Sequence, residues 1–186
     1  MIQVNQPHVF QVAAWQAAVA GAIIGAVTFF LGLVRQWKED RRKRAEMGYS
    51  LIDALFDDAG ASEFLYAIDN AAPAGRRRKK SDDDLARDFA AHFGRREMLP
   101  PAREQVLSGR LDNLLYYFDR FQHAIDAGLT DFDTVRMPIG YYVALMASFK
   151  EPLTQYITQV GYDRVLCFLE QFPQWRKATG NQTETT

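Results

Sequence analysis

The chain has 186 residues, 48% of them hydrophobic and 13% aromatic, and a net charge of −1. That apolar content suffices for a buried core and excludes wholesale disorder, while the charge balance lacks the basic excess of a general nucleic-acid binder. A single cysteine, Cys167, excludes an intrachain disulfide and a multi-cysteine metal site, and His8, His92 and His123 lie too far apart in sequence for zinc-type spacing, so no cofactor is expected.

Met1 to Val34 contains no Asp, Glu, Lys or Arg, and the chain then turns abruptly basic. A bilayer span needs roughly 20 apolar residues at ~1.5 Å rise each. Residues 12–34 are therefore predicted to form a single transmembrane helix, preceded by a short extracytoplasmic segment at residues 1–11. A secretory signal places its positive residues before the apolar core; here the order is reversed. Arg35, Lys38, Arg41, Arg42, Lys43 and Arg44, in a juxtamembrane segment at residues 35–48, set the cytoplasmic side. The expected topology is an uncleaved anchor with the N-terminus out and the C-terminal domain in the cytoplasm. Trp15 and Trp37, about 33 Å apart along a helix, match the two interfaces of the bilayer.

Within the span, Ala17, Gly21 and Gly25 repeat at four-residue steps, a small-residue pattern that permits close approach of a second helix and hence a homo-oligomer. The absence of ionisable side chains in the span disfavours a transporter or proton relay. The basic block can also attract anionic lipid, although the interleaved Glu39 and Asp40 favour a plain topological role.

Met47, Leu51, Ile52, Leu55 and Phe56 predict helix continuing from the membrane or restarting near Ser50, interrupted at Asp57–Gly60. A second helix is predicted over Ser62–Asp69. Arg76, Arg77, Arg78, Lys79 and Lys80 then form a basic run, read as a solvated loop with anionic lipid or another anionic partner as the functional alternative; without interleaved aromatics, nucleic acid is disfavoured. Three aspartates after Ser81 suit a helix start, and Leu85, Phe89 and Phe93 carry that helix to Gly94.

Pro101 suits the first turn of the longest soluble helix, predicted over residues 102–127. Its Leu107, Leu111, Leu114, Phe118, Phe121 and Ile125 alternate steps of four and three, a stripe that demands burial in a bundle core or, secondarily, in a dimer seam. On another face Asp112, Asp119, His123 and Asp126 form a polar column, which a surface helix explains more simply than a metal or acid–base site. Gly128 ends this helix and Thr130 is predicted to cap the next. Two further helices are expected after Pro138, over residues 139–149 and 153–160. A last helix follows Gly161, and Phe172–Trp175 closes the domain.

Ile68-Asp69-Asn70, Leu111 to Ile125 running into Ala127-Gly-Leu129, Tyr141-Tyr142, Tyr156-Ile157, Gly161-Tyr162 and Phe168-Leu169 resemble a family of small bacterial single-span membrane proteins with a helical cytoplasmic domain of unknown function. The resemblance implies a fold and no catalytic residues. The combined expectation is an all-α protein: one N-terminal transmembrane helix, a small helical-bundle cytoplasmic domain at residues 49–175, and a tail at residues 176–186. No catalytic constellation is apparent, so the expected function is that of a membrane-tethered protein-interaction or regulatory module with an unknown protein partner. The alternative is a small membrane effector of phage-defence or toxicity type, acting through oligomerisation of its span.

Overall fold

The computed structural model describes residues 7–71 and 84–178, with side chains from residue 19 onward. The described residues are helical throughout, with no strand among them. The chain divides into two compact units at Lys43 and Arg44, inside the segment predicted to flank the membrane.

Helix α1 runs unbroken over Pro7–Asp57. Proline sits at its first position, where the missing N–H costs nothing, and no further proline intervenes before Asp57. In the first unit the apolar side chains from residue 19 face outward. Ile24 is 66% exposed and Phe30 is 65% exposed. Thr28, the hydroxyl in this stretch, donates back to the Ile24 carbonyl at 2.8 Å and so needs no other partner. This is the one described helix long and apolar enough to cross a membrane, and none of its apolar window is buried.

The second unit has its own core. The end of α1 contributes Leu51, Ile52 and Leu55, and α2 (Ala59–Ala71) contributes Phe64, Leu65 and Ile68. The break between them is a cap: the Asp58 carboxylate accepts the Ala61 N–H at 2.8 Å. Helix α4 (Pro101–Asp126) lies at the centre, packed on α2, on α7 (Asp163–Glu170) and on α3 (Asp84–Phe89). Its predicted stripe is buried from Leu107 through Phe121, and Ile125 is partly buried where the helix leaves the core. The stripe therefore faces the chain's own core, and pairing two copies through residues 102–127 on this face would require opening it.

Phe168 on α7 is the hub of an aromatic cluster, with ring centroids 5.3 Å from Phe118, 5.7 Å from Phe121, 5.2 Å from Phe172 and 6.3 Å from Phe132. All five rings come from separate stretches of sequence brought together only by the fold, apart from the neighbouring turns of α4 and of the α7 terminus.

Both long-helix endings follow the glycine rule. Gly128 has φ 67°, with its N–H donating to the Ile125 carbonyl and the Leu129 N–H to the Ala124 carbonyl, each at 2.9 Å. Gly161, φ 80°, closes α6 (Lys150–Val160) in the same way, with the Tyr162 N–H reaching the Ile157 carbonyl at 3.1 Å.

Two local expectations are corrected. Helix α5 runs from Phe132 to Met146 straight through Pro138, which is not a boundary. The ring removes one N–H, but Val135, Ile139 and Val143 on either side are fully buried, and their packing outweighs that one lost bond. Thr130 does not cap α5: the cap position is Asp131, with no side-chain bond, and the Thr130 hydroxyl is buried without a partner among the described residues. Trp175 is the last buried residue described. Pro173–Lys177 forms a short helix, α8, that buries the indole, while Lys150 donates to the Trp175 carbonyl at 2.8 Å.

Gly48 explains where Thr130 points. A Cβ built on Gly48 would lie 2.5 Å from Thr130 Oγ1 and 2.7 Å from Thr134 Cγ2. Both threonines are β-branched and stiff at χ1, so neither can swing away cheaply. Gly48→Ala is expected to destabilise the domain by about 1–3 kcal/mol, the usual cost of overpacking. The check is the denaturant midpoint of the micelle-solubilised protein, with Gly109→Ala as the control because a Cβ there meets nothing within 4 Å.

Candidate functional site

The irregular features of the second unit gather in one place. After α3 the helix widens into a π turn over Ala90–Gly94, an insertion of one residue that the even spacing of Leu85, Phe89 and Phe93 conceals. The chain leaves the turn through Arg96, the single described non-glycine residue with positive φ, at 56°. The Glu97 N–H reaches back to the Ala91 carbonyl at 2.9 Å, so the closure resembles those at Gly128 and Gly161, widened by one residue and with arginine where they have glycine. Such strain, of order 1–3 kcal/mol, persists only where the surroundings impose it. Two exposed ion pairs flank this position, Arg96 with Glu151 at 2.9 Å and Arg95 with Glu97 at 2.7 Å.

Two clefts open on either side of Arg96. One, of about 460 Å³, lies between the π turn, the start of α4 and α6; its walls include His92, Phe93, Met98, Leu99, Glu104, Gln155, Tyr156 and Gln159. The other, of about 660 Å³, runs past Gly94, Ser148, Lys150 and Thr154 towards Ala178. Phe93, Arg96 and Pro152 border both. His92 Nδ1 and Thr154 Oγ1, two of the three buried polar atoms without a partner among the described residues, belong to residues of these walls. Met98 stands 97% exposed at the rim.

Tyr156 ties the wall to α4: its hydroxyl donates to Asp112 at 2.8 Å, and its ring lies 6.2 Å from Phe93. Burial pushes its phenol well above the ordinary range, and the hydrogen bond to Asp112 and that carboxylate's charge push it further. The folded state therefore holds the proton more tightly than the unfolded chain. The resulting stability is complete below the unfolded value of about 10 and is lost as pH rises beyond it. Urea midpoints measured at about pH 9 and about pH 11 should fall more steeply for the parent than for Tyr156→Phe, which has no proton to lose.

The polar column of α4 is dispersed by its contacts. Asp112 accepts from Tyr156, Asp119 lies 3.7 Å from Arg164, Asp126 accepts from Gln122 at 2.7 Å, and His123 is exposed. Among the described residues no group of three or more His, Cys, Asp or Glu side chains could hold a metal ion.

In the first unit, a Cβ on Gly21, Gly25 or Gly32 would meet nothing within 4 Å, and these glycines recur at steps of four and seven. Ala17 and Trp15 lie within α1, and their side chains fall outside the described residues, as do Arg76, Arg77, Arg78, Lys79 and Lys80. Trp37 is 63% exposed and is covered on one side by Arg41, 5.8 Å from its ring centroid. Arg35, Lys38, Arg42 and Lys43 are exposed along the same helix, and Arg44 lies 3.7 Å from Asp131 at the start of α5. Sequence reading missed the paired clefts altogether, since their walls come from three separated segments; the only local signal was the irregular Arg-Arg-Glu-Met-Leu-Pro-Pro stretch.

The chain matches no protein-family model, no curated protein and no solved structure.

Proposed function

We propose that the protein is a membrane-tethered helical interaction module: residues 12–34 span the bacterial inner membrane once, N-terminus out, and the bundle of residues 49–175 works in the cytoplasm. The carrying observation is the outward-facing apolar stretch of α1, none of it buried in the chain and followed at once by six basic residues. Leaving that many large apolar side chains in water is costly at roughly 25 cal/mol per Å², whereas a bilayer accepts them. A basic flank on the C-terminal side supports an uncleaved anchor with its domain inside.

Cys167, the sole cysteine and exposed on α7, makes the orientation testable without engineering. In intact spheroplasts a membrane-impermeant maleimide should leave Cys167 unlabelled, and permeabilisation should expose it, with the full-length chain in the membrane fraction. Labelling of intact spheroplasts, or a shortened soluble chain, would refute the proposed topology.

The glycine face of the first unit favours the effector reading as the alternative, because Gly21 and Gly25 meet nothing within a single copy. That reading requires Gly21→Leu with Gly25→Leu to abolish membrane permeabilisation on expression. Permeabilisation unaffected by the pair would dispose of it.

A further inference from the structure

We infer that the cleft between the π turn, α4 and α6 is a binding site for an organic ammonium ion with an apolar body, either a free amine or a lysine-type side chain. Its volume, about 460 Å³, falls within the range of small-ligand sites. The charge of its walls favours a cation. Arg96, the cation lining it, is engaged by Glu151 at 2.9 Å, and Glu97 is engaged by Arg95 at 2.7 Å. The Glu104 carboxylate makes no ion pair among the described residues and remains as the net charge of the cleft.

The apolar walls suit the same ligand. His92 and Phe93 meet edge to face with centroids 4.8 Å apart, Phe93 and Tyr156 at 6.2 Å, and Leu99 and Met98 continue the surface to the rim. Aromatic faces attract an ammonium group through the ring quadrupole, and the attraction strengthens out of water. His92 Nδ1, buried and without a partner among the described residues, is a polar atom that the chain's own hydrogen bonds leave for a ligand. An anion would meet the Glu104 carboxylate, unpaired among the described residues, and the lining cation, Arg96, is already paired with Glu151.

Met98 is a built-in reporter. The chain has five methionines, and Met47, Met137 and Met146 lie outside the walls of this cleft. The full chain in nonionic micelles, labelled with ¹³C at the methionine methyls, is titrated with phenethylammonium. Met98→Leu assigns the resonance. The Met98 signal should shift saturably while the other three stay in place. Phenethyl alcohol and 3-phenylpropionate should bind more weakly, and Glu104→Gln should weaken the ammonium about fivefold, the scale of one exposed charge contact. Glu170→Gln, on the exposed face of α7, should change nothing. A capped Ala-Lys-Ala peptide binding more tightly than the free amine would assign the ligand to a protein side chain, and the reverse order would assign it to a free amine. An unmoved Met98 signal, equal binding of the anion, or Glu104→Gln binding like the parent would overturn the inference.

Discussion

Phe168→Ala is expected to cost the domain about 3–5 kcal/mol, a large share of the usual stability of a domain, and to lower its thermal midpoint by well over ~10 °C, at a few degrees per kcal/mol. The physical reason is the number of partners stranded by one truncation. Phe168 is fully buried and touches four other rings: Phe118 and Phe121 on α4, Phe132 at the start of α5, and Phe172 before α8. Each ring contributes roughly 0.5–1.5 kcal/mol of pair interaction beyond its area, and a cavity bordered by three other segments cannot collapse without moving all of them. Phe168→Leu keeps most of the volume and should retain a folded domain with reduced stability. Near-ultraviolet circular dichroism through thermal unfolding of the micelle-solubilised chain measures both. A midpoint for Phe168→Ala within a few degrees of the parent would mean that this cluster is not the centre of the fold.

Ile23→Arg is expected to release the chain from the membrane. Arginine at the centre of a span costs roughly 2.5–3.5 kcal/mol of insertion free energy, against the −0.3 to −0.6 kcal/mol gained by isoleucine. Ile23 is near the middle of residues 12–34 and its side chain is 58% exposed, so the change disturbs no packing within the chain. The variant should move into the supernatant on alkaline carbonate extraction, or aggregate, while its domain remains helical. Ile23→Val should stay in the membrane. Equal extraction of the parent and of Ile23→Arg would count against a bilayer-spanning role for α1. The same pair of variants separates the two units energetically: Phe168→Ala attacks the domain and leaves the apolar helix intact, and Ile23→Arg does the opposite.

Much of the fold was legible because local rules and tertiary packing agree. The four-three stripe of α4 is buried as its period requires. Gly128 and Gly161 occupy the left-handed positions that end their helices. Pro101 begins α4. Where the reading departed from the structure, a neighbour distant in sequence had the greater say. Pro138 reads as a breaker, yet the buried residues around it hold α5 through the proline. Thr130 reads as a cap, yet Gly48 draws α1 close enough to bury it beside Thr134. The π turn was invisible because Phe89 and Phe93 keep helical spacing while the backbone between them takes in one more residue.

The candidate site was less legible than the fold for a simple reason. Its walls are set by His92 and Phe93, by Glu104, and by Gln155 and Tyr156, none of which forms a motif with its own sequence neighbours. Chemistry made by juxtaposition leaves no local trace.

The sequence by itself determined the apolar, uncharged stretch and its basic flank, the helical character of the remainder, and the identity of the core stripe, because hydropathy and periodicity act over neighbouring residues. Only the tertiary structure decided that four phenylalanines converge on Phe168, that Gly48 admits Thr130, and that Arg96 takes a left-handed conformation between two clefts. Those outcomes depend on distances between segments far apart in the chain, and such distances are set by packing once the helices meet.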